Sequence, residues 1–263
     1  MSSILPPGGS AAAHVGNAPN PATSGSPPAS GAGPAGARSG GGPAQPSAAP
    51  LRSGGPAAPA SRAPKSLLLH PAAKPVLFLA ALLPLAWLVW GAATNGLGPN
   101  PAEALIRGLG DWTLRLLCLT LAITPVRQWL GQPALARFRR MLGLFTFFYG
   151  CLHFLSYAWL DKEWLVAEIV RDIAKRPFIL VGTLALLLML PLAATSFNRA
   201  IKALGAARWK LLHRLVYGTA LLGLLHFFWM RAGKNDFAEV AVYAAVLGIL
   251  LGWRVVQRLR TSH

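Results

Sequence analysis

The chain has 263 residues, 54% of them hydrophobic, and a mean hydropathy of +0.46, which excludes an ordinary soluble domain and points to a polytopic membrane protein. Its 25 Lys and Arg against 8 Asp and Glu give a net charge of +17. Nucleic acid is the usual partner of so basic a chain, but no basic module interleaved with aromatics occurs.

Residues 1–65 are Pro, Ala, Gly and Ser with scattered Arg and no periodic apolar face, a composition that cannot bury enough surface to offset chain entropy. They are expected to form a disordered cytoplasmic tail, either hugging anionic lipid or dispensable, and they lack the short apolar core of a signal peptide. Six apolar runs follow, at about 75–94, 112–130, 141–160, 177–197, 209–229 and 238–257. Each is near the roughly 20 residues that cross a hydrocarbon core. Backbone polar groups in lipid must be satisfied within the segment, so the expected fold is an all-α bundle of six transmembrane helices over about 70–260. Cys118 and Cys151 fall inside these runs without metal-type spacing and read as buried structural thiols.

Charge sets the expected orientation. All eight acids lie after spans one, three and five: Glu103 and Asp111; Asp161, Glu163, Glu168 and Asp172; Asp236 and Glu239. Those segments, with Arg115, hold eight cations (Arg107, Arg115, Lys162, Arg171, Lys175, Arg176, Arg231 and Lys234), whereas the other 17 of the 25 lie on the opposite side without one acid. Lys and Arg near span ends mark the cytoplasmic side, so both termini are expected there. Trp112, Trp159, Trp164 and Trp229 read as an interfacial belt.

Six histidines are present. His14 and His263 are terminal and His70 precedes the first span, leaving His153 in span three and His213 and His226 in span five. Both spans run outward, and His153 and His226 reach similar depths, roughly 18–20 Å past Arg140 and Arg214, the last cations before them. His213 sits about 20 Å nearer the inner face. Two imidazoles at matched depth on neighbouring helices can clamp one iron from both sides, and bundle cores are where such sites are built. A porphyrin suits the apolar walls and the small residues Gly143, Gly150, Gly218 and Gly223. Zinc suits them less, because no Cys, Asp or Glu completes a tetrahedral set. The alternative is that each histidine hydrogen-bonds across helices and packs. In one regular helix His213 and His226 would lie about 140° apart in azimuth, so either span five is distorted or the two address different partners.

The segments "RRMLGLFTFFYGCLHFLSY" (139–157), "KRPFILVGTLALLLMLPLAATS" (175–196) and "RWKLLHRLVYGTALLGLLH" (208–226) resemble the MsrQ (YedZ) family. "ITPVRQWLGQPALARFRRMLG" (123–143) and "WLVWGAATNGLGPNPAE" (87–103) match as well. These are haem-binding membrane subunits of bacterial methionine-sulfoxide reductase systems, within the ferric-reductase-like transmembrane superfamily. The resemblance implies a b-type cytochrome of the inner membrane, an electron-transfer subunit rather than the catalytic one. It would pass electrons to MsrP, a periplasmic molybdopterin enzyme that repairs oxidised methionines. The donor would be the quinone pool or a cytoplasmic flavin reductase. Haem-ligand positions fall on His153, His213 and His226, with His153 and His226 for an outer haem and His213 for an inner one. The superfamily's further histidine, about 14 residues before His153, is Arg139 here, so a second haem would need another axial ligand. Arg139, Arg140, Arg208, Lys210 and Arg214 either pair with propionates or anchor the inner interface. The family is also associated with FMN, although no residue here identifies a flavin site.

Two rivals make different demands. A self-contained ferric reductase or superoxide-producing oxidase would need a flavin and nicotinamide module, and no GxGxxG-bearing βαβ unit occurs. Only about six residues follow span six. A transporter without redox chemistry would show no visible absorbance.

Overall fold

A computed structural model describes residues 67–233 and 235–261; the tail expected over 1–65 lies outside the described residues, as do His14 and His263. The described residues are helical, without strands. In chain order the helices are α1 (Ala73–Ala93), α2 (Pro101–Trp129), α3 (Ala136–Ser156), α4 (Val166–Lys175), α5 (Pro177–Ala194), α6 (Asn198–Leu204), α7 (Ala206–Leu212), α8 (Leu215–Ala232) and α9 (Ala238–Thr261). Six helical stretches are long and apolar enough to cross a bilayer: Ala73–Ala93, Pro101–Trp129, Pro133–Asp161, Pro177–Ala194, Ala206–Ala232 and Ala238–Arg260. The chain is a multi-pass membrane protein. Large apolar side chains face outward along α1, among them Leu79, Leu83 and Trp90, as lipid-facing surface requires.

Several boundaries depart from the apolar runs for local reasons. The second span starts at Pro101, not near 112. Asn100 caps it by accepting from the Glu103 N–H at 3.2 Å, and proline sits at the first helical position, where no N–H is needed. The added turns carry Glu103, Arg107 and Asp111, which lowers the hydropathy that marked the span. The third span ends in a π-helical turn, Tyr157–Asp161. The fifth is broken at His213–Arg214, where three-residue bonds (Arg214 N–H to Leu211 O, 3.1 Å; Tyr217 N–H to Arg214 O, 3.0 Å) separate α7 from α8. The azimuth computed for an unbroken helix therefore does not apply, and span five is distorted as one of the two expectations held.

Prolines inside helices expose backbone groups that lipid cannot satisfy, and side chains answer them. At Pro84 in α1 the Tyr149 hydroxyl enters the ladder, accepting from Leu85 N–H at 3.0 Å and donating to Ala81 O at 2.8 Å. In α2, Pro125 has no N–H for the Leu121 carbonyl, and Arg254 of α9 donates to that oxygen instead. The same guanidinium donates to Leu250 O at 2.8 Å, which lets a cation sit inside the last span.

α2 packs closely on α3, and α5 on α8. One apolar core joins α2, α8 and α9 through Leu117, Ala220 and Leu247; another joins α1, α2 and α3 through Leu88, Leu109 and Tyr149. α4 is a short amphipathic helix in the segment after span three. Its Asp172 is buried, accepting from Tyr157 Oη at 2.8 Å and pairing with Lys162 at 3.0 Å and Arg176 at 3.0 Å. That carboxylate ties the π-turn, α4 and the start of α5 together.

Candidate cofactor site

His153 on α3 and His226 on α8 face each other across the bundle, with ring centres 6.0 Å apart and planes at 75°. Each ring is fixed from behind by a helix carbonyl. His153 Nδ1 lies 2.8 Å from Ile106 O of α2, and His226 Nδ1 lies 2.7 Å from Phe178 O of α5. A carbonyl only accepts, so each Nδ1 carries the ring proton and each Nε2 is left with its lone pair. That is the state in which imidazole binds a metal, and a second hydrogen bond of this kind is its usual support. Two imidazoles bound to one metal at about 2 Å have ring centres roughly 6 Å apart, so the observed 6.0 Å leaves room for one metal ion between them.

Both rings line a cavity of about 520 Å³ between α2, α3, α5 and α8. Its walls are mostly apolar, including Leu114, Leu117, Leu186, Met189 and Phe227. Polar and charged groups gather at the acid-bearing end: Asn100, Glu103, Arg107, Asp161 and Arg176. Both cations there are already steered by carboxylates, Arg107 by Glu103 and Arg176 by Asp172. Burial alone would push the Asp172 carboxyl up, but hydrogen bonds from Tyr157 and Lys162 and the charge of Arg176 hold it below its ordinary value. The bond to Asp172 in turn raises the Lys162 ammonium above its own.

His213 is elsewhere. It sits in the break between α7 and α8, with its ring stacked on Trp209 at 3.9 Å and its Nδ1 3.1 Å from Trp209 O. Arg139 and Arg140 lie within electrostatic reach of it. Arg140 donates to Asn198 Oδ1 at 2.8 Å, and Arg139, Arg140 and Arg214 are exposed. None of these three arginines lines the cavity of His153 and His226. Of the expected small residues, Gly150 and Gly223 line it and Gly143 and Gly218 do not. Among the described residues, no three His, Cys, Asp or Glu side chains gather where they could hold a metal ion. Cys118 and Cys151 are free thiols, the first buried.

Arg107 and Arg176, which enter the charge count only as markers of orientation, line the acid-bearing end of the cavity. Gly110 and Gly182, against which the two imidazoles rest, are not among the small residues that the sequence singles out.

The class is that of a ferric-reductase-like membrane protein: residues 109–224, which span α3, α5 and most of α2 and α8, match the family model described as "Ferric reductase like transmembrane component". Three curated relatives carry the name "Protein-methionine-sulfoxide reductase heme-binding subunit MsrQ". That of Polaromonas naphthalenivorans is 67% identical over 188 residues, covering 72% of this chain and 86% of the relative. That of Ralstonia nicotianae is 54% identical over 197 residues, 75% and 89% respectively. That of Azospira oryzae is 53% identical over 191 residues, 73% and 82%. At that identity and coverage, the chain belongs to the MsrQ family.

Proposed function

We propose that this chain is a b-type cytochrome that carries electrons across the bacterial inner membrane to a periplasmic molybdopterin methionine-sulfoxide reductase, MsrP. The relatives are named heme-binding subunits of a protein-methionine-sulfoxide reductase. One observation supports haem in this chain above the others: two imidazoles with Nδ1 committed to carbonyls stand 6.0 Å apart in an apolar cavity. Imidazole suits iron, and the cavity is within the range of small-molecule and cofactor sites. Haem, when bound, supplies one-electron chemistry that no side chain here can supply.

The residues then have separable tasks. His153 and His226 would hold the haem iron. The helix carbonyls fix their tautomers, and the apolar walls exclude water and thereby help set the potential. Arg107 and Arg176 at the mouth are the cations placed to meet propionates, in place of Arg139, Arg140 and Arg214. These last, with His213, would serve a second, inner haem. His213 has no second histidine facing it among the described residues, so that haem would need another ligand of a different kind. The donor is the quinone pool or a cytoplasmic flavin reductase. FMN has only the family association behind it. Both termini are assigned to the cytoplasm by the charge asymmetry.

The test is a reduced-minus-oxidised difference spectrum of the purified chain. A sharp bis-imidazole haem signal is expected. A colourless, folded protein would contradict the proposal and favour a transporter without redox chemistry.

A further inference from the structure

The two imidazoles are held by one device used twice. His153 of α3 bonds the carbonyl of Ile106 on α2, and Gly110 follows that carbonyl by four residues. His226 of α8 bonds the carbonyl of Phe178 on α5, and Gly182 again follows by four. In each case the carbonyl belongs to the tightly packed neighbour helix, α2 for α3 and α5 for α8.

The spacing has a steric reason. A helical carbonyl already accepts from the N–H four residues on, so a second donor must come from the side. The side chain of that fourth residue stands in the way. A methyl at Gly110 would lie 3.1 Å from Cε1 and 3.2 Å from Nδ1 of His153. At Gly182 it would lie 2.7 Å from Nδ1 and 2.9 Å from Cε1 of His226, closer than real carbon atoms approach. The imidazole is a rigid ring pinned at Nδ1 by the carbonyl, so it cannot fold out of the way as a long flexible chain would.

We propose that Gly110 and Gly182 are positioning residues: by carrying no side chain they let each imidazole lie on the partner helix, give its Nδ1 proton to the carbonyl and present Nε2 to the cavity as the ligand atom. This rests on the haem reading above. Hydrogen bonds behind a ligating imidazole set its orientation and basicity, and losing one typically lowers metal affinity about 10–100-fold. The distances rank the two positions. Gly182→Ala must displace the ring or the helix, whereas at Gly110 a shift of a few tenths of an ångström suffices.

The experiment uses the full chain with its haem, comparing wild type with Gly182→Ala, Gly110→Ala and Gly248→Ala. Gly248 on α9 has open space where a methyl would go and serves as the control. Haem content, ferric electron paramagnetic resonance, the difference spectrum and the melting temperature are read together. Gly182→Ala is expected to lose haem on the order of 10-fold or more in affinity, or to turn high-spin. Gly110→Ala is expected to keep haem with a smaller fall in affinity and an altered low-spin resonance at near wild-type melting temperature. Gly248→Ala should match wild type. Wild-type haem content and resonance in Gly182→Ala would overturn the proposal. If Gly182→Ala does not accumulate as folded protein, Gly110→Ala decides: an unchanged resonance overturns it and a shifted one at unchanged stability supports it. A wild-type chain without haem overturns the functional reading as well. Haem in wild type with unchanged variants overturns this inference alone.

Discussion

Tyr149 shows how single side chains stand in for backbone in this bundle. It is fully buried, and its hydroxyl both accepts and donates within the α1 ladder beside Pro84. Tyr149→Phe keeps the ring and removes only the bridge, leaving a carbonyl and an N–H unsatisfied in an apolar setting. Such groups cost about 1–3 kcal/mol each, so a clear fall in unfolding stability is expected in detergent, with haem content per folded protein unchanged. A stability equal to wild type would show that α1 closes its own ladder there. The histidine pair was legible at this scale because ionisable residues are rare inside spans and their depth can be counted from flanking cations. Arg107 and Arg176 were not, because nothing in a linear count separates a cation at a cavity mouth from one at an interface.

At the scale of elements, the six spans were legible from apolar length alone. What was not legible depends on contacts between elements. α2 is longer than its apolar run because the bundle gives Glu103, Arg107 and Asp111 polar company at the cavity's end. The break at His213–Arg214 interrupts an unpunctuated apolar stretch, with Trp209 stacked on His213 and donating to Thr195 O at 2.9 Å. α4 is too short and too charged to register as a span, and its place is fixed by Asp172. That carboxyl titrates below its ordinary value in the folded chain. Its contribution is therefore fully present above the ordinary carboxylate range and is lost as pH falls through the lower, folded value. The protection of α4 amides, relative to their intrinsic exchange rate at each pH, should fall on acidification through that window, and Asp172→Asn should already be less protected at neutral pH, by roughly 1 kcal/mol per weakened bond. Protection in α4 that is independent of both would remove Asp172 from this role.

The described bundle is built around two close helix pairs, α2 with α3 and α5 with α8, each of which contributes one histidine, one carbonyl and one glycine to the same cavity. The charged residues that line that cavity lie at the end that carries the acids, and under the proposed orientation that end faces away from the cytoplasm. A reporter fused after His263 should accordingly behave as cytoplasmic and one inserted in 161–175 as periplasmic. The opposite pattern would put the paired histidines near the cytoplasm and reverse the direction of electron flow. The central claim, that His153 and His226 hold one iron, is tested most directly by difference spectra and haem content of His153→Ala, His226→Ala, their double variant and His213→Ala. Each of the first two should remove the same haem, and the double variant should lose little more than either, because residues acting as a unit are not additive. His213→Ala should spare that haem and alter only a second, inner signal where one exists. Loss of the same signal in His153→Ala and His213→Ala, with His226→Ala silent, would contradict the account.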